Sequence, residues 1–419
     1  MSKQGRPNRK SSQTELSVLR MIQDSPAISR VELSDQSGLS SAAITGVIGA
    51  LIRHGLLTEK RISGTAIGRK RVALKLHASL GCVIGIDLGT YNLRIVVTDL
   101  NGETLVSQSF KSEMSRGREL VLERCFTLAK QTLAEAGDGA GKLLGVGIAF
   151  SGVIDVHNGV ILSYPRLGQV EQWRNIPLRN IAEREFGVPC MLEDSVRGVA
   201  TSEKFMGRGQ SLQDFVYVDV GVGIGASIFI NGKIYRGHNG GAGEFGHMTV
   251  DENGPLCCCG SNGCLEAMAS GSTIIEAARI AIQKGVASKI STKCDGNLGN
   301  ITLEIISEAA EQNDSLAYRV LSDAATHIGF SCADLVNLLN PQAIVFGGAL
   351  FRAAPDLLIE QIQRMVRQRA MEKMVNEVSL ELSALSGDAG AYGMARLMAA
   401  HLIPSVYERV EDGSASRSN

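Results

Sequence analysis

One pattern occurs twice in this chain, and the repetition limits what it can fold into. Residues 82–110, CVIGIDLGTYNLRIVVTDLNGETLVSQSF, read as an apolar strand, a glycine turn, a second strand, Asn101-Gly102 and a third strand. Residues 215–237, FVYVDVGVGIGASIFINGKIYRG, repeat that order with Asn231-Gly232 at the second turn. Asn-Gly suits the turn whose twist matches paired strands, so each copy predicts a three-stranded meander. Helical periodicity predicts helices near residues 116–136, 175–186, 195–206, 270–284, 303–312, 315–339 and 354–372, and a last one around Ala389 to Leu402. Strands alternating with helices, twice over, predict an α/β body of two similar lobes spanning residues 81–408. The lobes are expected at about 81–193 plus the last helix and about 194–388, with a disordered tail at 409–419.

A second constraint lies in residues 240–266, GGAGEFGHMTVDENGPLCCCGSNGCLE. His247, Cys257, Cys259 and Cys264 offer one imidazole nitrogen and three thiolates, the complement of a closed structural zinc (Zn2+) site. Gly254, Gly260 and Gly263 supply turns that gather such ligands. Cys258 stands between two of them, either turned away or able to exchange with a neighbour. Glu244 and Glu266 flank the ligands, so a bound ion would fix two carboxylates, which are good acceptors for sugar hydroxyls.

The run G-x-x-G-E-x-G-H followed by C-x-C-G-x-x-G-C-x-E resembles the signature of the ROK family, which contains bacterial sugar kinases and sugar-responsive repressors. The resemblance extends over nearly the whole chain and implies a two-lobed actin-like (ribonuclease H-like) sugar kinase fold. It also implies sugar contacts at Glu244, His247 and Glu266, and it puts Asp194 where the kinases keep the general base for the sugar hydroxyl. Two positions depart from the family pattern. Glu193 and Arg166 stand where the family usually has Asn; facing a cleft, they would suit a ligand other than plain glucose, Arg166 one with an anionic group. The two glycine turns hold ATP phosphates in the kinases. Here the family's D-x-G-G-T reads Asp87-Leu88-Gly89-Thr90-Tyr91 and its G-T-G reads Gly221-Val222-Gly223, which removes a close backbone approach and a hydroxyl. Lost or weak ATP binding and no catalysis are the expectations, with Phe346-Gly347-Gly348 kept as packing.

Ahead of the body, residues 13–24 carry Leu16, Leu19 and Ile22 at helical spacing. Ser29 with Glu32 resembles a capping box opening a second helix that ends at Gly38. A third helix follows, with Ile44, Val47, Ile48, Leu51 and Ile52 on one face. Its opening residues are small, which lets a recognition helix approach the major groove through Ser40, Ser41, Ala42 and Thr45. Two strand-like runs then flank a basic wing with Lys60, Arg61, Arg69, Lys70 and Arg71 placed for phosphates or the minor groove. Residues 1–80 thus predict a winged helix-turn-helix with a basic N-terminal arm, similar to that of ROK repressors. A basic helical dimerisation module is the competing reading.

Charge separates the same two parts. Residues 1–80 hold 13 Lys and Arg against 5 Asp and Glu, while the whole chain has a net charge of -1, so the body is acidic. No export signal opens the chain and no apolar run is long enough for a membrane helix, so its nine cysteines are expected reduced, in a cytoplasmic protein with no membrane partner. The expected partners are double-stranded operator DNA and a sugar or sugar-derivative effector. A recognition helix with small side chains reads few bases, so a homodimer or homotetramer is expected to present two of them. A ROK sugar kinase with an added domain, or a zinc or redox sensor, would use the same sequence differently.

Overall fold

The computed structural model describes residues 9–25, 28–62, 71–164, 170–385 and 387–416. Two compact units emerge: Met1–Phe150, Pro177–Thr201 and Asp388–Asn419 form one, Ser151–Ile176 and Ser202–Gly387 the other. The winged segment falls in the first unit. Residues 151–176 join the second unit, and the chain crosses over within a helix rather than at residue 194.

The winged segment forms as its local signals dictate. Helix α1 (Arg9–Asp24) starts earlier than its apolar period. In α2 (Arg30–Ser37) the Ser29 side chain accepts from Glu32 N while Glu32 accepts from Ser29 N, and Gly38 closes the helix at φ 69°. Ser40 caps α3 (Ser41–Arg53), which buries Ile44, Ile48 and Leu51. Strands β1 (Leu57–Ile62) and β2 (Arg71–Leu76) pair antiparallel as the sides of the wing.

The rest of the first unit is a five-stranded sheet. Strands β3 (Cys82–Leu88), β4 (Asn92–Asp99) and β5 (Thr104–Lys111) make the predicted meander. On the other side of β3, β6 (Leu143–Phe150) and a last strand, Cys190–Asp194, run parallel to it. Helices α4 (Arg118–Glu135) and α5 (Leu178–Phe186) precede β6 and the last strand, and α6 (Ser195–Met206) follows that strand directly. The C-terminal helix, Ala389–Ser416, lies on β3 so closely that a Cβ at Gly85 would sit 1.9 Å from Ala391 O.

That helix runs past Leu402 and through most of the expected disordered tail. Ile403, Val406, Tyr407 and Val410 continue its apolar spacing, and they pack into a cluster that includes Val18, Leu19 and Ile22 of α1 and Leu74 and Leu76 of β2. The DNA-binding segment and the first lobe thus share one core. Polar contacts reinforce it. Arg396, 2% exposed, donates to the backbone oxygens of Gln23, at 2.7 Å, and Asn101. The Tyr407 hydroxyl donates to Glu15 Oε2 at 2.6 Å.

The second unit repeats the sheet plan. Ile224–Ile230 lies antiparallel between Phe215–Val220 and Lys233–Tyr235, while Ala343–Gly347 and Ser379–Leu382 extend the sheet in parallel. The long helix Ser315–Leu339, capped by Asp314, has thirteen buried residues, and its apolar side chains, among them Leu321, Ile328 and Val336, join this unit's core. Among the described residues no helix is long and apolar enough to cross a membrane.

Candidate metal, effector and DNA-binding sites

The His/Cys loop folds because its backbone can turn tightly. Gly263 takes φ 63°, and a Cβ there would sit 1.5 Å from Asp251 O, so only glycine fits. The loop closes through Cys257 N to Ser261 O, Gly260 N to Cys257 O and Gly263 N to Pro255 O. His247, Cys257, Cys259 and Cys264 are thereby gathered with their ligand atoms all within 4.8 Å of one another. Cys257 Sγ lies 3.6 Å from His247 Nδ1, and Cys259 Sγ lies 3.6 Å from Cys264 Sγ.

A tetrahedral ion with metal–sulfur bonds of about 2.3 Å spaces its sulfurs about 3.8 Å apart, so these four donors fit such an ion. The backbone N–H of Ser261 lowers the Cys259 thiol to about 7, whereas burial and then Cys259 raise Cys264 to about 12. His247 turns its other nitrogen, Nε2, towards Glu244 Oε2 at 3.9 Å.

Cys258 is set apart from this group. Its thiol donates to Glu266 Oε1 at 3.5 Å, and burial, followed by the Glu266 charge, pushes it up to about 12. Cys257, Cys258 and Glu266 form a second possible ligand set. Glu266, 9% exposed, also accepts Ile224 N at 2.8 Å through Oε2. That carboxylate is thus bonded both to the loop and to the residue after the Gly221-Val222-Gly223 turn. The Ile224 and Cys258 contacts had no signal in the sequence.

Of the five predicted sugar positions, Glu244, His247 and Glu266 lie in the second unit and Glu193 and Asp194 in the first. Asp194 Oδ1 accepts Val196 N at 2.9 Å, holding the start of α6. Glu193 is neither a surface charge nor an open ligand group. Its side chain is 0% exposed and pairs with Arg197 Nη1 at 2.8 Å, while the same oxygen accepts Asp194 N at 3.1 Å. A lone carboxylate is costly in a protein interior, and Arg197, in the first turn of α6, offsets that cost for Glu193 near the end of the strand. Arg197 was missed, because Glu193 stands near the end of a strand and the pairing arises only where the chain turns into α6. Arg197→Ala removes the cation beside the buried Glu193 carboxylate and is expected to lower unfolding free energy by roughly 3–5 kcal/mol in urea titrations. Arg166 lies outside the described residues.

In the first glycine turn Asp87, 6% exposed, pairs with Arg94 Nη1 at 3.3 Å, and Tyr91 is 58% exposed. In the second turn Gly221 N donates to Gly223 O, while Gly271 N and Ser272 Oγ donate to Gly221 O and Val222 O. A Cβ at Gly347 would sit 2.0 Å from Tyr217 Oη, which agrees with a packing role.

On the winged segment, Ser40, Ser41, Ala42, Ala43, Thr45 and Gly46 form an exposed face at the start of α3. Ser40 Oγ accepts Ala43 N, and Thr45 Oγ1 donates to Ser41 O. Lys60 is exposed on β1. Arg69 and Lys70 lie outside the described residues, and of Arg61 and Arg71 only the backbone is described.

Comparison with known proteins agrees with both parts. Residues 12–63 match the MarR family, and residues 83–401 match the ROK family. The xylose repressor of Caldicellulosiruptor bescii is 30% identical over 381 residues, 90% of this chain and 93% of that protein. The DNA-binding transcriptional dual regulator NagC of Escherichia coli is 29% identical over 355 residues, 85% of this chain and 84% of its own. Among solved structures, a ROK family transcriptional regulator described as a homolog of the E. coli MLC protein superposes with a TM-score of 0.77 at 25% identity, covering 96% of this chain and 100% of that one. With the ROK match spanning the two glycine turns, the His/Cys loop and the C-terminal helix, the chain belongs to the ROK family.

Proposed function

We propose that this chain is a transcriptional repressor that binds operator DNA through its winged segment and releases it on binding a sugar or sugar derivative. The exposed, small-residue face of α3 carries the reading. Nothing at Ser41, Ala42, Ala43 or Gly46 extends far enough to hold the helix away from the floor of a major groove. The Ser40 hydroxyl and the basic wing supply phosphate contacts on either side. In this reading zinc occupies the His247, Cys257, Cys259 and Cys264 cluster and stiffens the loop carrying Glu244 and Glu266. Asp194 accepts a sugar hydroxyl, while Glu193 and Arg197 hold its backbone. No phosphoryl transfer is expected, because Arg94 already pairs with Asp87 in the first glycine turn. The relative named xylose repressor, and another in Escherichia coli named N-acetylglucosamine repressor, make those two sugars the first probes, and a homodimer or homotetramer supplies two recognition helices.

The test is a gel-shift selection from a random duplex pool, followed by titration of the bound complex with each sugar. Selection of a common duplex that one sugar releases is the expected outcome; a chain that enriches no duplex has a different function. Arg69→Ala with Arg71→Ala is expected to weaken every duplex alike. It should also reduce the slope of log affinity against log salt by about one for each lost phosphate contact. An unchanged slope removes the wing from the interface.

A further inference from the structure

The C-terminal helix touches three places that the proposed regulator must connect, all within the first unit. Its first turn meets the effector side. A Cβ at Gly390 would sit 2.7 Å from Asp87 Oδ2, and one at Gly198, on α6, would sit 3.0 Å from Gly390 O. Helix α6 is the one whose opening turn Asp194 caps. From Ala391 to Ala395 the helix rests on β3 at Gly85. Its middle and far end then meet the winged segment. Arg396 donates to Gln23 O at the end of α1 and to Asn101 O, and Asn101 in turn bonds both Leu76 N and Leu76 O on β2. Tyr407 reaches Glu15 on the same helix α1.

We propose that the C-terminal helix transmits the state of the effector side to the DNA-binding helices, entering through the Gly198 contact and leaving through Arg396. This rests on the regulator reading above. A buried guanidinium spanning two backbone carbonyls resists small shifts more than apolar packing does, because its planar donors are directional. A glycine-on-backbone contact transmits a shift of α6 without a compliant side chain between. Arg396 is accordingly a positioning residue for α1 and β2 and is not itself expected to touch DNA or sugar.

A double-mutant cycle on the whole chain tests this. Amide hydrogen exchange is followed in α1, with α4 as internal reference, for wild type, Gly198→Ala, Arg396→Met and the combination. Gly198→Ala pushes on Gly390 and is expected to change α1 exchange several-fold while α4 stays constant. With Arg396→Met in place, the same glycine change is expected to have no further effect on α1. Indifference of α1 to Gly198→Ala, or an equal increment in both backgrounds, overturns the route. Should Arg396→Met unfold the winged segment, Arg396→Lys takes its place in the cycle, since it keeps the charge and loses the planar fork. Exchange coupling in a chain that selects no duplex supports the transmission and overturns the DNA-binding reading. Duplex selection without exchange coupling does the reverse.

Discussion

Deleting residues 1–80 is expected to destabilise the whole first unit as well as abolish DNA binding. The truncated chain would lose the α1, α3 and β2 side of a cluster that also holds Met398, Leu402, Ile403, Val406 and Tyr407. Burial of each such side chain is worth about 1.5–3 kcal/mol, so together they approach about 10 kcal/mol, comparable with the total stability of a typical domain. The expected observation is a melting temperature lowered by many degrees, or aggregation on gel filtration. A truncated body that stays monodisperse and melts like the full chain would show that the shared core contributes little. A cleaner separation of functions keeps the segment and changes its surface. Ala42→Asp with Thr45→Asp, both at exposed positions on α3, is expected to abolish duplex binding and leave melting unchanged.

Replacing Cys259 by Ala is expected to empty the metal cluster. Zinc measured by atomic emission should fall from about one ion per chain to near none, because three donors without the fourth hold a structural ion poorly. Loss of the ion is expected to loosen the loop that precedes Glu266, whose carboxylate accepts Ile224 N. Calorimetric titration with D-xylose and with N-acetylglucosamine should then show affinity lower by at least tenfold for whichever sugar the native chain binds. Glu266→Gln separates two roles in that loop. It keeps the shape and the acceptor for Ile224 N, so zinc is expected to stay while the sugar weakens. Full sugar affinity with zinc retained would leave Glu266 a purely structural residue, joining the metal loop to the second glycine turn.

Much of this was legible because the signals are local. The Ser29–Glu32 box, the Asn-Gly turns at 101 and 231 and the close spacing of Cys257, Cys259 and Cys264 need only a few neighbouring residues to act. The duplicated meander was readable for the same reason, since each copy is a run of adjacent strands. What escaped depends on partners far apart in the chain. The Leu19 and Ile22 stripe announces a buried face without saying that Leu402 and Ile403 cover it. Glu193 looked like an accessible departure from the family pattern because burial of a charge shows only once Arg197 is seen to reach it. The C-terminal helix looked shorter because Pro404 and the polar residues beyond it suggest an end, whereas contacts to α1 hold the segment helical.

The core common to α1 and the C-terminal helix also sets a timetable for the protein's birth. A ribosome delivers α1 first and the residues that cover it last, almost a whole chain length later. At roughly 5–20 residues per second the interval is on the order of tens of seconds. Throughout it the cluster that holds Val18, Leu19 and Ile22 lacks the part that the C-terminal helix supplies. On this account a nascent chain is expected to bind duplex DNA only after residues 398–410 have left the exit tunnel.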